Sequence, residues 1–185
     1  ELKIYPPQLL KETELYPYWE RGEYKPYTTA ELISLIADVK PSIPRYCRAN
    51  RIIRDIPSTN VVEGNKRTSL RMDVHKEMAE RGTECECLRC REVRGKKIDI
   101  EKLKLDDLIY PAENAEEHFI SFITPDDKVA GFLRLSLPSV AAPETVITDL
   151  EGAAIIREVH VYGQSLEVGA EKRGSAQHAG LGTRL

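Results

Sequence analysis

No stretch of the 185 residues approaches the roughly 18 consecutive apolar residues of a membrane-spanning helix, and none has the layout of a secretory leader. These absences exclude an integral helical membrane protein and predict a soluble, cytoplasmic chain. An initiating methionine is missing as well: the sequence opens on Glu1-Leu2-Lys3-Ile4-Tyr5 and closes about one turn into a helix, so a piece of a longer protein is expected. Strong net charge is also lacking. Lys and Arg number 27 against 30 Asp and Glu, for a net charge of −3, so bulk electrostatics alone does not announce a nucleic-acid binder. The length exceeds one average domain and falls short of two complete ones.

The charge that is present is unevenly placed. Arg45, Arg48, Arg51, Arg54, Lys66, Arg67, Arg71, Arg89, Arg91, Arg94, Lys96 and Lys97 gather between residues 45 and 97. Glu113, Glu116, Glu117, Asp126, Asp127, Glu144, Asp149 and Glu151 occupy the C-terminal half. The first group is a candidate RNA surface, with a solvated charged face as its alternative.

Cysteines are few, yet Cys85, Cys87 and Cys90 fall within six residues. Thiolates this close converge on one tetrahedral ion at Zn–S distances of about 2.3 Å, whereas a disulfide between such near neighbours is strained. The fourth ligand is Cys47 or His75. Cys47 is preferred, because a fourth thiolate completes an all-cysteine site and a helical His is more often a surface residue. Such a zinc site, with every position filled by protein, is structural.

The first half reads as mostly helical. Thr28 and Glu31 form a capping-box pattern before an apolar face over 31–40, and Pro41 stops that helix. Residues 45–55 read as a strand, and Thr68 or Ser69 caps a helix to about Arg81 with Gly82 as its stop. This helix, strand, helix order is what the end of an α/β barrel shows. The chain divides near 95–110, giving segments 1–95 and 96–185. In the second, 118–123 and 129–135 read as a hairpin about Thr124-Pro125-Asp126-Asp127, and 154–162 as a third strand. Glu158 and His160, two residues apart, share one face of it and are the nearest acid–base candidates. Gln177-His178-Ala179-Gly180-Leu181-Gly182-Thr183 then forms a Gln-x-x-Gly-x-Gly loop opening a helix, a pattern whose backbone N–H groups suit a phosphate.

The hairpin, the third strand and the loop resemble the front half of the GNAT acetyltransferase fold. The segments Arg157-Glu158-Val159-His160-Val161-Tyr162-Gly163 and Gln177 to Gly182 are similar to the Elongator catalytic subunit family and its bacterial and archaeal tRNA uridine acetyltransferases. So are Arg54-Asp55-Ile56-Pro57-Ser58-Thr59-Asn60, Asn65 to Leu70, and Cys85-Glu86-Cys87-Leu88-Arg89-Cys90-Arg91-Glu92-Val93. The resemblance covers nearly the whole chain. It implies the tail of a radical-SAM α/β barrel, joined through the zinc site to the first half of a GNAT-type α+β domain.

It also implies that Glu158, Val159, His160 and Val161 lie along the pantetheine arm of acetyl-CoA. Gln177, His178, Ala179, Gly180, Leu181, Gly182 and Thr183 would then lie at its pyrophosphate. By the same resemblance, acetyl-CoA donates a two-carbon unit to the wobble uridine of tRNA and S-adenosylmethionine supplies the radical. The 4Fe-4S ligands lie outside this chain, which has no Cys-x-x-x-Cys-x-x-Cys. Expected partners are tRNA and acetyl-CoA, with room for a homodimer or accessory subunits. The insert 164–175, with Lys172 and Arg173, gates CoA, touches RNA or is a plain loop. The alternatives are a lysine acetyltransferase, disfavoured by the arginine-rich segment, and a non-catalytic zinc-stapled RNA-binding module.

Overall fold

Two units make up the chain in this computed structural model, Glu1–Cys90 and Arg91–Leu185. Residues 1–138, 147–163, 175–177 and 179–185 are described.

In the first unit β1 (Leu2–Lys3) lies parallel to β3 (Ala49–Arg51), and β2 (Gln8–Leu10) pairs antiparallel with β4 (Val61–Gly64). Helices α1 (Tyr16–Glu20), α2 (Thr29–Val39), α3 (Leu70–Glu80) and the single turn α4 (Leu88–Arg91) complete the order. The capping box at α2 forms as expected: Glu31 N–H donates to Thr28 Oγ1 at 3.2 Å, and Thr28 N–H donates to the Glu31 carboxylate at 2.7 Å. Beyond Val39 the chain tightens through Lys40–Ser42, because Pro41 offers no N–H to continue the helix. Leu32, Ile36 and Ala37 of α2 meet Leu70, Val74 and Met78 of α3 over Ile52, each at the helical spacing that puts it on one face.

Ser69 precedes α3 but its hydroxyl does not cap the backbone. It lies 3.3 Å from Asp73 Oδ2, where Arg67 also forks onto the carboxylate at 2.7 and 2.9 Å. Gly82, at φ +67°, ends the helix. The strand expected over 45–55 is three residues long. Cys47 N–H turns back to the Pro44 carbonyl at 2.8 Å, so pairing starts only at Ala49.

The second unit is an antiparallel sheet in the order β5 (Lys104–Ala112), β6 (Ala115–Ile123), β7 (Val129–Pro138), β8 (Ile155–Val161), followed by the turn α5 (Leu181–Arg184). The hairpin turn between β6 and β7 is held from within: Thr124 N–H reaches Lys128 O at 2.8 Å, Thr124 Oγ1 donates to Asp126 at 2.7 Å, and Asp127 takes φ +59°. Arg91, only 4% exposed, forks onto the Asp127 carboxylate at 2.7 and 3.1 Å. Phe119 and Phe132 bury one face with ring centroids 5.1 Å apart, and the Arg134 guanidinium lies over both rings. Strand β5 overlaps the stretch 95–110 where the sequence places the division of the chain, and is not expected there. It is an edge strand with Leu105 and Ile109 outward, which is where Pro111 costs least.

Candidate functional site

Two places gather chemistry. In the first unit the thiol sulfurs of Cys85, Cys87 and Cys90 all lie within 4.8 Å of one another, the one such group of metal-ligating side chains among the described residues. Local folding delivers them: Cys90 N–H bonds Cys87 O at 2.9 Å as α4 winds up, and Leu88 N–H bonds Cys47 O at 3.0 Å. Cys87 is fully buried with Ile43 and Ala49, and Cys47, Cys85 and Cys90 pack against that small core. Cys87 Sγ and Cys90 Sγ lie 3.7 Å apart, within S–H···S hydrogen-bond reach. Ligands at about 2.3 Å on the corners of a tetrahedron sit about 3.8 Å apart, so the thiol spacing and soft donor chemistry fit a zinc-sized ion.

His75 Nε2, on the exposed side of α3, lies 3.7 Å from Cys90 Sγ. Three touching thiols cannot ionise alike. Hydrogen bonds from Cys85 and then Cys90 pull the Cys87 pKa down, while contact with Cys85 and Cys87 pushes Cys90 up. A divalent ion would draw all three to thiolates and release protons.

One participant escapes the sequence altogether. Lys40, at the end of α2, is 0% exposed, and its Nζ donates to Cys90 Sγ at 3.8 Å across 50 residues of sequence.

The second place is the outer edge of β8, which among the described residues pairs only with β7. Tyr162 N–H points to Ala130 O at 2.8 Å, so by strand alternation the backbone groups of Val161 and Val159 face the open edge. Gln177 Nε2 donates to Val161 O at 3.4 Å and ties the loop to the strand end. Gly163, at φ +142°, makes room: a Cβ there would meet Gln177 Cγ at 3.2 Å. Gly180 takes φ +70° with open space around it, Leu181 is buried, and a Cβ on Gly182 would meet only Val161 Cγ2, at 3.7 Å. Ala179, Gly180, Gly182 and Thr183 thus sit at a turn where, among the described residues, nothing closes over Gly180. His178 and the insert at 164–174 lie outside the described residues.

Glu158 and His160 share a face with Arg134 and Phe132, their cross-strand partners. Arg134 Nε donates to Glu158 at 3.0 Å, while the His160 ring stacks 5.8 Å from Phe132 and edge-on at 4.6 Å to Tyr162. A register shift near Arg134 lets Arg157 reach the buried Glu117 at 2.9 Å, which also accepts from Ser136 Oγ at 2.8 Å.

Many arginines of the basic segment serve the fold. Arg71 holds the carbonyls of Ala49 and Asn50 at 3.0 and 2.8 Å, Arg67 holds Asp73, Arg91 holds Asp127, and Arg51 pairs with Asp55 at 2.5 Å. Arg54, Lys66, Lys96 and Lys97 remain exposed.

Residues 1–80 match the Radical_SAM C-terminal domain family. Over its entire length the chain is 39% identical to a tRNA uridine(34) acetyltransferase of Dehalococcoides mccartyi and 38% identical to one of Methanocaldococcus jannaschii, spanning 40% and 35% of those proteins. It is 36% identical to Elongator complex protein 3 of Drosophila melanogaster, spanning 34% of that protein. From end to end the chain is similar to the Elongator complex protein 3 family. A solved member, Elp3 of Methanocaldococcus infernus with an N-terminal deletion, superposes with a TM-score of 0.81 at 37% identity, covering 99% of this chain and 44% of that one. The chain therefore spans well under half the length of the family members it matches. No helix among the described residues is long and apolar enough to cross a membrane.

Proposed function

We propose that this chain carries the acetyl-CoA edge and the zinc site of a cytoplasmic tRNA uridine(34) acetyltransferase. The observation that carries the reading is the open edge of β8, with Gln177 bound to Val161 O and Gly180 and Gly182 bare beyond it. It sits in a sequence similar from end to end to proteins so named.

The outward Val159 N–H and C=O and the Val161 N–H suit the amides of a pantetheine arm, while Gln177 holds the Val161 carbonyl. The N–H groups from Ala179 to Thr183 suit a pyrophosphate. When bound, acetyl-CoA supplies the two-carbon unit, and S-adenosylmethionine with a 4Fe-4S cluster supplies the radical, its ligands outside these four cysteines. Glu158 and His160 flank the arm. His160, held by rings rather than by an ion pair, is better placed to move a proton than Glu158, which neutralises Arg134. Cys85, Cys87 and Cys90 hold zinc, with Cys47 or His75 as the fourth donor. The exposed Arg54 and Lys66 of the first unit suit tRNA phosphates, and so, separately, do Lys96 and Lys97 of the second.

Titration of the complete enzyme with acetyl-CoA, with and without tRNA, tests the reading against a Gly180→Glu, Gly182→Glu double variant. Acetyl-CoA binding lost in the variant and thioester turnover stimulated by tRNA in the wild type are expected. Undiminished acetyl-CoA binding by the variant would remove the loop from the site. Stimulation by a lysine peptide in place of tRNA would turn the reading to a protein acetyltransferase.

A further inference from the structure

We propose that Lys40 is the fixed counter-charge of the thiol centre, its ammonium donating to Cys90 Sγ so that several thiolates can be held together on one cation. The inference rests on the metal reading above and extends it to a residue that is not a ligand.

Lysine is almost never fully buried unless paired, yet Lys40 is 0% exposed. Its Nζ hydrogen-bonds Cys90 Sγ at 3.8 Å, and among the described residues no Asp or Glu oxygen lies within ion-pair reach of it. Burying an ammonium beside neutral groups is expensive, because water's solvation is lost and nothing replaces it. The end of α2 contributes only the partial negative charge of its last carbonyls.

Among the described residues a full anionic partner is available in one place, the sulfur cluster. Three protonated thiols leave the ammonium stranded. Three thiolates on a divalent ion with a neutral fourth donor carry one net negative charge, which a single ammonium cancels. A fourth thiolate would leave one charge over, so Lys40 also weighs toward His75, rather than Cys47, in the fourth position. The N–H···S contact draws electron density from the Cys90 sulfur as well. Partners beyond the ligands of a metal site act in this way on affinity and ligand basicity.

The sign of the effect separates this role from ordinary packing. Lys40→Met keeps the length and apolar stem but removes the charge. In the full chain loaded with Zn2+ alone, affinity measured by competition with a chromophoric chelator falls about 10- to 100-fold. With Co2+ in its place, the thiolate-to-metal charge-transfer band moves to longer wavelength as the sulfur becomes a stronger donor. In the metal-free reduced protein the same change leaves the thermal midpoint equal or higher, since an uncompensated buried charge has gone. Lys40→Gln, a second neutral variant, shows the same loss of affinity should Lys40→Met fold poorly.

Wild-type affinity and an unshifted cobalt band in a neutral variant would overturn the role of Lys40 while leaving the metal site standing. So would a metal-free midpoint lowered as much as the loaded one. A wild-type chain that takes up neither ion would overturn the metal reading, and Lys40 with it.

Discussion

The two units place their chemistry in opposite ways. In the first, the reactive groups are folded inward: Cys87 is fully buried, Lys40 closes over Cys90, and the arginines nearby are spent on backbone carbonyls and carboxylates. In the second, β8 leaves its outer edge and Val159 exposed, and the turn at Gly180 has open space around it. A centre whose donors are all taken up by protein is suited to hold structure. An edge whose hydrogen-bonding groups face outward is suited to hold something that comes and goes.

Three experiments press on that contrast. The largest effect is expected from Cys87→Ser, which removes the buried donor. Zinc stoichiometry, read by atomic absorption, falls to background and the thermal midpoint drops to that of chelator-treated wild type, because metal affinity at a structural site is folding free energy. A variant that keeps its zinc would place the ion elsewhere.

Gly163→Val comes next. At φ +142° and 3.2 Å from Gln177 Cγ, any side chain is strained, by about 1–3 kcal/mol, and the Gln177 tie to Val161 loosens. Acetyl-CoA affinity should fall while zinc content stays constant; an unchanged affinity would show that the tie does not shape the edge.

The smallest effect is expected at His118, whose Nδ1 lies 2.8 Å from Asp107 and Nε2 3.2 Å from Glu116. The Asp107 hydrogen bond, outweighing desolvation and helped by Glu116, raises the His118 pKa above its ordinary value. A raised folded-state pKa stabilises fully below the unfolded value of about 6.5, and the benefit is lost as pH rises through the folded value. Asp107→Asn should therefore bring the NMR titration midpoint of His118 down and flatten the fall in stability across that window. A midpoint that does not move would assign the shift to Glu116.

Much of this was legible in the residues. The Thr28 and Glu31 pair marked the start of α2, Gly82 marked the end of α3, and alternation marked β6, β7 and β8, because each of these signals is local. What escaped was set by tertiary context. Asp106, Asp107 and Pro111 hid β5 near the expected division of the chain, since an edge strand tolerates charge and proline that a central one does not. The strand over 45–55 shrank to Ala49–Arg51 because a turn at Pro44 claimed its beginning. The basic segment read as a continuous surface, but Arg91 is buried against Asp127 and Arg71 binds backbone, partners that spacing does not reveal. At the thiol centre, the three clustered cysteines were visible by proximity in sequence. Lys40 was not, since a lysine before a proline reads as an exposed helix end.

The register shift opposite Arg134 gives the open strand a further property. A flat, regular edge is a template on which any stray extended chain can grow, and many copies growing so make a fibre. Here the rhythm is broken where Arg157 turns to Glu117, and the outward run between that break and Gly163 is only a few residues long. That length matches the two amides of the pantetheine arm proposed for it. It is too short and too kinked to welcome a whole foreign strand, so the edge can stay open without becoming sticky.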